Sequence, residues 1–143
     1  MNVWGLLRVA LVLFAAVASF FVPLEPQAQP PISWLALAAI FVFCPVGLLF
    51  VLGIQVVNPW SAKIWRRPSW MLNPFNFREP LQFFHLGAYV CLAQGIVTLA
   101  RVAYSSTSFY VEALLPLVMG FGILAGVQIA TVVFRSKVER AGA

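Results

Sequence analysis

Four long apolar stretches divide the chain, and short polar or proline-containing segments separate them. The stretches cover 3–22, 32–57, 81–104 and 109–134. Each has about the 20 residues that an α-helix needs to cross a bilayer. They lack the two-residue alternation of membrane β-strands, which are only about 10 residues long. The pattern therefore predicts an all-α integral membrane protein, with four transmembrane helices in a single domain, 1–143.

The connections between the predicted helices have distinct compositions. The segment 23–31 carries four prolines, and because proline lacks an amide donor it predicts a short extended linker. The segment 58–80 contains Asn58-Pro59 and Asn73-Pro74. Asn is a good helix N-cap and proline is favoured at the next position, so each pair predicts the start of a short helix.

The residues after Asn58 form an amphipathic segment when they are projected on a helix. Aromatic and aliphatic side chains take one side and three cations take the other, as in helices that lie in the membrane interface. The residues expected to contact lipid are Trp60, Lys63, Ile64, Trp65, Arg66, Arg67 and Trp70. Each surface cation gains about 1 kcal/mol from anionic lipid. We expect 58–80 to be a cytoplasmic interfacial connection that contacts anionic headgroups; docking of a partner protein and recognition of one lipid headgroup are the alternatives.

The first apolar stretch has a second interpretation. Ala16-Val17-Ala18 before Ser19 resembles a signal-peptidase site, and cleavage there would remove 1–18. The only cation of the region, Arg8, lies inside the stretch rather than before it, and the apolar run continues to Val22. We therefore expect a retained membrane helix.

Composition supports the membrane class. The chain is 62% hydrophobic and 9% charged, whereas soluble domains are roughly 25% charged. The net charge is +5, but no tract has the density of Lys and Arg typical of nucleic-acid binding. We expect no nucleic-acid partner.

The distribution of cations predicts an orientation. In an alternating four-pass chain, eight of the nine Lys and Arg residues lie on one side of the membrane, and only Arg101 lies on the other. Cytoplasmic connections are enriched in Lys and Arg. We therefore expect both termini to be cytoplasmic, in a bacterial inner (plasma) membrane. The eight residues are Arg8, Lys63, Arg66, Arg67, Arg78, Arg135, Lys137 and Arg140.

Small residues mark the last two predicted helices, which a short connection should hold as antiparallel neighbours. They recur at four-residue spacing as Gly87, Cys91 and Gly95 and as Gly122, Gly126 and Ala130. Such stripes let helix backbones approach closely in lipid. A hairpin centred between Ser106 and Thr107 places the two stripes level with each other. We predict that they pack together; use of one stripe for homo-oligomer contacts is the alternative.

The same register predicts an outer ion pair. Arg101 and Glu112 lie level with each other, close to the membrane surface. We interpret the pair as a structural clasp on the hairpin. The alternative is an unpaired Glu112 that lines a proton or cation path, since carboxylates inside membranes are costly and often mark pathways.

The polar residues of the third helix are further candidates. His85, the only histidine, forms a polar stripe with Gln82 and Tyr89. We expect a hydrogen-bonded or headgroup-level histidine; haem, metal or quinone binding is the alternative. Gln128 lies level with His85, but its helical phase argues against direct contact. Gln94 is expected to make an interhelical hydrogen bond.

No motif specifies an activity. The sequence contains no hydrolase, metalloprotease or phosphate-loop signature, and Cys44 and Cys91 lack the spacing of a metal or redox site. We expect no cofactor, no metal and no enzymatic activity. The expected function is that of an accessory, scaffold or assembly subunit, which packs with partner membrane proteins or with itself. The alternatives are a small transporter or channel that uses Glu112 and Gln94, and a subunit of a membrane redox or lipid-modifying enzyme that uses His85.

Overall fold

The computed structural model describes residues 2–24, 33–57, 63–105, 111–136 and 139. Within these ranges it contains four α-helices and no strand. Each helix is long and apolar enough to cross a membrane, which confirms the predicted all-α fold with four transmembrane helices. The helices are α1 (Val3–Phe21), α2 (Trp34–Val57), α3 (Pro80–Tyr104) and α4 (Leu115–Val133), and a 3-10 turn, Val111–Leu114, precedes α4.

Local chemistry explains where the helices begin. Asn2 caps α1, because its Oδ1 accepts a hydrogen bond of 2.9 Å from the amide of Gly5. Pro80 opens α3, where its missing amide is not needed. The α-helical part of α4 begins later than predicted: Pro116 occupies its first turn, and the preceding residues take the tighter 3-10 conformation.

The four helices form an open row rather than a closed bundle. α3 and α4 are the central pair, α1 packs on α3, and α2 packs on α4. In the described part of the chain, α1 and α2 lie at opposite edges and share no extensive contact. The row therefore has two broad faces, and the side chains that point away from it are exposed and apolar, such as Phe14 and Phe50.

One end of the row holds a buried cluster that joins α2, α3 and α4 to the connection between α2 and α3. We call it the basic end, because Arg8, Lys63, Arg66, Arg67, Arg78 and Arg135 lie there. At this end Asn2 Nδ2 donates 2.6 Å to the carbonyl of Met71. The Trp65 and Phe134 rings lie 6.0 Å apart. The buried cluster consists of Leu48, Leu52, Trp65, Leu81, Val127 and Ala130.

The described part of the connection does not contain the helices that we predicted, and the predicted start at Asn58-Pro59 lies outside the described residues. This part, 63–79, contains no helix, while Trp60 lies outside the described residues. The amide of Ile64 donates 2.6 Å to the carbonyl of Arg78, which ties the two limbs of the connection together. Asn73 Oδ1 accepts from the amide of Phe75 at 2.9 Å, so that Asn73-Pro74 forms an Asx turn instead of a helix start.

Trp65 differs most from the expectation. The helical projection directed it toward lipid, but its side chain is only 4% exposed and belongs to the buried cluster. Because 63–69 is not helical, the indole does not follow the helical projection, and it lies against Phe134 at the end of α4. Burial of an aromatic side chain on three helices outweighs the gain from placing it at the interface.

The small-residue stripes of α3 and α4 do not pack on each other as predicted. A Cβ on Gly122 would lie 2.9 Å from Cys44 Cβ, and one on Gly126 would lie 2.8 Å from Leu48 Cδ2. Both glycines therefore face α2, because α4 lies between α2 and α3 and has a neighbour on either side. Ala130 is fully buried in the cluster that also contains Leu48.

The register of the α3–α4 hairpin nevertheless agrees with the prediction. A Cβ on Gly95 would lie 2.5 Å from Leu117 Cγ, and one on Gly120 would lie 2.8 Å from Leu92 Cγ. Each of these pairs is within one residue of the predicted alignment. Of the remaining stripe members, Cys91 is half-buried. In the described part of the chain, nothing beyond the adjacent backbone of α3 lies within 4 Å of the position that a Cβ on Gly87 would take.

Candidate functional site

A buried arginine joins α1 to the connection and to α3. Arg8 lies in the second turn of α1 and is 0% exposed. Its Nε and Nη2 donate to the carbonyl of Leu72 at 3.1 and 2.9 Å, and Nη2 donates to Gln82 Oε1 at 3.2 Å. Nη1 lies 3.2 Å from His85 Nδ1. Since an arginine N–H can only donate, Nδ1 accepts, and the imidazole proton is on Nε2.

Gln82 connects the same cluster to the preceding segment. It is fully buried. Its Oε1 also accepts from the amide of Ser69 at 3.0 Å, and its Nε2 donates to the carbonyl of Arg67 at 2.9 Å. One side chain thus fixes α1 and the connection relative to the start of α3.

Aromatic rings close the cluster on one side. The Trp70 ring lies 4.8 Å from Tyr89 and 5.9 Å from His85. The guanidinium carbon of Arg8 lies 6.0 Å from the centre of the Trp70 ring, within the range of a cation–π contact. Trp70, predicted at the lipid interface, is therefore half-buried against α3 and against the arginine.

Neutral acceptors, rather than a carboxylate, satisfy Arg8. Within the described residues the ion pairs are Arg66–Glu79 at 3.8 Å and Arg135–Glu139 at 2.6 Å, and neither involves Arg8. In the same part of the chain, no group of three or more His, Cys, Asp or Glu side chains could hold a metal ion. The cluster offers hydrogen bonds that hold the helices together. It does not place a carboxylate against the histidine, the arrangement expected of an acid–base pair.

At the opposite end of the row, Arg101 also joins α3 to α1 through hydrogen bonds to backbone carbonyls. Its Nη1 donates to the carbonyls of Ser19 and Val22 at 2.5 and 2.7 Å, and its guanidinium lies 5.5 Å from the centre of the Phe20 ring. A cation at a helix C-terminus satisfies carbonyls that have no partner within the helix. The side chain of Glu112 lies outside the described residues, so the ion pair with Arg101 stays a prediction.

Two cations of the connection, Lys63 and Arg66, have partners in the described chain. Lys63 Nζ donates 2.6 Å to the carbonyl of Phe77, and Arg66 faces Glu79. The side chain of Arg67 is exposed and lines a pocket with residues of α4. Contact of these cations with anionic headgroups stays a prediction.

The polar pocket at the basic end has a volume of about 500 Å³. His85 and Gln128, which we predicted to lie level with each other without touching, both line it. Its lining consists of Arg67, Pro68, His85, Gln128, Thr131, Val132 and Arg135. Arg135 Nε donates to Glu139 Oε1, and this bond raises the pKa of Arg135 and lowers the pKa of Glu139. The positive charge of Arg67 lowers the pKa of Glu139 further.

An apolar groove of about 700 Å³ runs along α4. It is lined by Phe41, Leu114, Leu117, Val118, Phe121, Leu124, Ala125 and Gln128. Gln128 lines both the groove and the polar pocket, so that the two cavities are neighbours on one face of the row. The sequence did not predict this pair of cavities, because no local pattern places the connection beside the end of α4.

The opposite face of the row carries a second candidate surface, on α3. Gly87 and His85 are two residues apart and therefore point to opposite sides of α3. Gln94 lies two turns beyond Gly87 on the same side, in the middle of the helix, and is half-buried. Among the described residues its side-chain amide has no hydrogen-bond partner, so the predicted interhelical bond is not made within them.

No protein-family model matches the chain, and neither a curated protein nor a solved structure matches it. The class of the protein therefore rests on its own fold, which is that of an all-helical integral membrane protein with four spanning helices.

Proposed function

We propose that this protein is a non-enzymatic assembly subunit, which packs with a partner membrane protein or with a second copy of itself. The face of α3 that carries Gly87 and Gln94 is the proposed contact. One observation carries the proposal: this face combines an open position above a glycine with a mid-helix amide that has no partner in the described chain.

The membrane interior gives the physical reason why this face should bind another helix. Water is absent from the hydrocarbon core, so polar groups there gain by finding a partner in protein. Helices in membranes associate through close packing at small residues and through interhelical hydrogen bonds. A single partner helix that crossed over Gly87 would also come within reach of Gln94, because the two residues lie on the same side of α3.

The test is co-purification of the full chain in mild detergent, followed by native mass spectrometry. We expect a partner or a second copy in the wild-type sample, and we expect Gly87→Leu and Gln94→Leu each to weaken the association. For Gln94 the expected loss is about threefold to tenfold, the usual strength of one interhelical hydrogen bond. The control is Gly47→Leu, since Gly47 also has open space around it in the described chain.

Two results contradict the proposal. A wild-type protein that purifies only as a monomer without a bound partner removes its basis. Loss of association in Gly47→Leu but not in Gly87→Leu assigns the contact to the outer side of α2 instead. Uptake or conductance that depends on Gln94 and Glu112 favours the transporter or channel alternative. A haem band or quinone binding that disappears in His85→Ala favours the redox alternative.

We also propose that both termini are cytoplasmic, in a bacterial inner membrane. The proposal is supported by the meeting of the start of α1, the connection and the end of α4 at the basic end. Six described Lys and Arg residues lie at this end, and one lies at the other. Reporter fusions at Ser105 and after residue 143 test the orientation: we expect the first reporter to be periplasmic and the second to be cytoplasmic.

A further inference from the structure

We propose that the row binds one anionic phospholipid from the leaflet at the basic end. Its phosphate occupies the polar pocket, and one of its acyl chains lies in the apolar groove along α4. This site lies on the face of the row opposite Gly87 and Gln94 and is independent of the proposed assembly contact.

The charges of the polar pocket select an anion. Arg67 and Arg135 both line it, and both are exposed. Arginine binds phosphate through parallel N–H donors, with a geometry that lysine cannot provide. The contact between Arg67 and Gln82 involves only the backbone of Arg67, whose carbonyl accepts a hydrogen bond from Gln82 Nε2. The guanidinium of Arg67 makes no hydrogen bond within the described residues and is available to a ligand.

The neutral side chains of the pocket add donors. His85 accepts from Arg8 through Nδ1, which leaves Nε2–H as the donor of the ring. Gln128 adds a side-chain amide that has no hydrogen bond among the described residues. The Thr131 hydroxyl donates to the carbonyl of Val127 at 2.8 Å, so it presents lone pairs rather than a donor. The donors outnumber the acceptors, as the recognition of an anion requires.

The groove shows that the ligand has an apolar part. All of its lining residues except Gln128 are apolar. From Leu114 to Gln128 it follows α4 for about 20 Å, at 1.5 Å per residue. That exceeds the roughly 15 Å that one leaflet contributes to a hydrocarbon core of about 30 Å. An acyl chain that enters beside Gln128 therefore finds apolar walls along its whole length.

The carboxylate of Glu139 regulates access to the cationic part of the site. Its Oε1 lies 2.6 Å from Arg135 Nε, and the charge of Arg67 also acts on it. A lipid phosphate has to compete with this carboxylate for Arg135. Removal of the carboxylate should therefore increase affinity, a result that loss of a merely structural contact does not give.

The experiment is native mass spectrometry of the full chain in mild detergent, titrated with dioleoyl-phosphatidylglycerol and, separately, with dioleoyl-phosphatidylcholine. We expect one phosphatidylglycerol to bind in preference to phosphatidylcholine. Arg67→Gln and Arg135→Gln should each weaken phosphatidylglycerol binding by about fivefold, the usual effect of one cation near anionic lipid. Glu139→Gln should strengthen it. The matched control is Arg78→Gln, an exposed arginine of the same connection that does not line the pocket.

The apolar half of the site has its own pair of variants. Ala125→Trp fills the groove and should weaken binding of phosphatidylglycerol, whereas Ala38→Trp, at an exposed position of α2 outside the groove, should not. Far-UV circular dichroism and the elution volume confirm that each variant is folded.

Three outcomes overturn the proposal. Equal binding of the two lipids removes the charge selection. An equal loss in Arg78→Gln and Arg67→Gln shows general attraction of the basic end rather than a site. Displacement of the lipid by an equal concentration of inorganic phosphate, together with unchanged binding in Ala125→Trp, assigns the pocket to a small anion and excludes the acyl chain.

Discussion

Replacement of Arg8 by methionine should detach α1 from the rest of the row at the basic end. Arg8 is fully buried, and methionine preserves its apolar stem while it removes the guanidinium. Gln82 Oε1 keeps the amide of Ser69 as a partner, but the carbonyl of Leu72 and Nδ1 of His85 lose theirs. The bond to His85 is buried, and a buried acceptor left without a partner costs about 1–3 kcal/mol. The bonds to the carbonyl of Leu72 are only part-buried, so water can replace the lost donor there at a smaller cost. We therefore expect the free energy of unfolding to fall by about 1–3 kcal/mol.

The assay is reversible unfolding of the full chain in mixed micelles, followed by far-UV circular dichroism. Arg8→Lys keeps the charge but offers a compact ammonium instead of a planar fork. Its free energy of unfolding should therefore lie between that of the wild type and that of Arg8→Met. Arg78→Met is the control. It changes an exposed arginine and should stay within about 0.5 kcal/mol of wild type.

A second readout identifies the cause of the loss. Trp70 packs against Arg8, His85 and Tyr89, so detachment of α1 should change tryptophan fluorescence before global unfolding. The reasoning is refuted if Arg8→Met lowers the free energy of unfolding by less than about 1 kcal/mol. Such a result means that water, rather than Leu72 and His85, satisfies the guanidinium in the folded protein.

Three further predictions concern other parts of the row. Arg101→Leu should speed amide exchange at the end of α1, measured by mass spectrometry, because the carbonyls of Ser19 and Val22 lose their donor; unchanged exchange contradicts this role. Gly126→Leu should lower the free energy of unfolding by about 1–3 kcal/mol or more through overpacking on α2, whereas Gly47→Leu, which meets no neighbour, should be close to neutral. Finally, the pKa of Glu139 is lowered in the folded protein, so its bond to Arg135 is present at neutral pH and is lost as the pH falls below the ordinary glutamate value of 4.5. Wild-type binding of phosphatidylglycerol should therefore rise toward that of Glu139→Gln as the pH falls below this value. A difference between the two proteins that stays constant across the titration argues against competition by the carboxylate.

The sequence predicted what depends on local pattern. Spanning helices are recognised from length and hydropathy alone, and the short connection was sufficient for the α3–α4 register to within one residue. The packing partner of a helix face is not a local property. Gly122 and Gly126 indicate that another helix packs closely on α4, but they do not indicate which one. In the structure that helix is α2 rather than α3.

Arg8 and Trp65, two residues of the basic end, show why the contacts there could not be predicted from the sequence. From the sequence, Arg8 indicates the orientation of the chain and argues against a signal peptide, but its main acceptor is the backbone carbonyl of Leu72, which has no sequence signature. The cost of a cation inside an apolar stretch does point to a hidden partner, and the polar stripe of Gln82 and His85 was the place to look. Trp65 followed an amphipathic pattern, but tertiary contacts with Phe134 and a bond between the two limbs of the connection replaced the helix.

The order of the helices across the row differs from their order along the chain, and this affects how the protein is made. α1 and α2 leave the ribosome first, yet they end at opposite edges and share no extensive contact in the described chain. The main neighbour of each is a helix that is synthesised later, α3 for α1 and α4 for α2. The acceptors of Arg8 also lie later in the chain, at Leu72, Gln82 and His85, so its guanidinium lacks these partners until 72–85 has been synthesised. The final packing of α1 and α2 therefore depends on α3 and α4, which follow them in the chain.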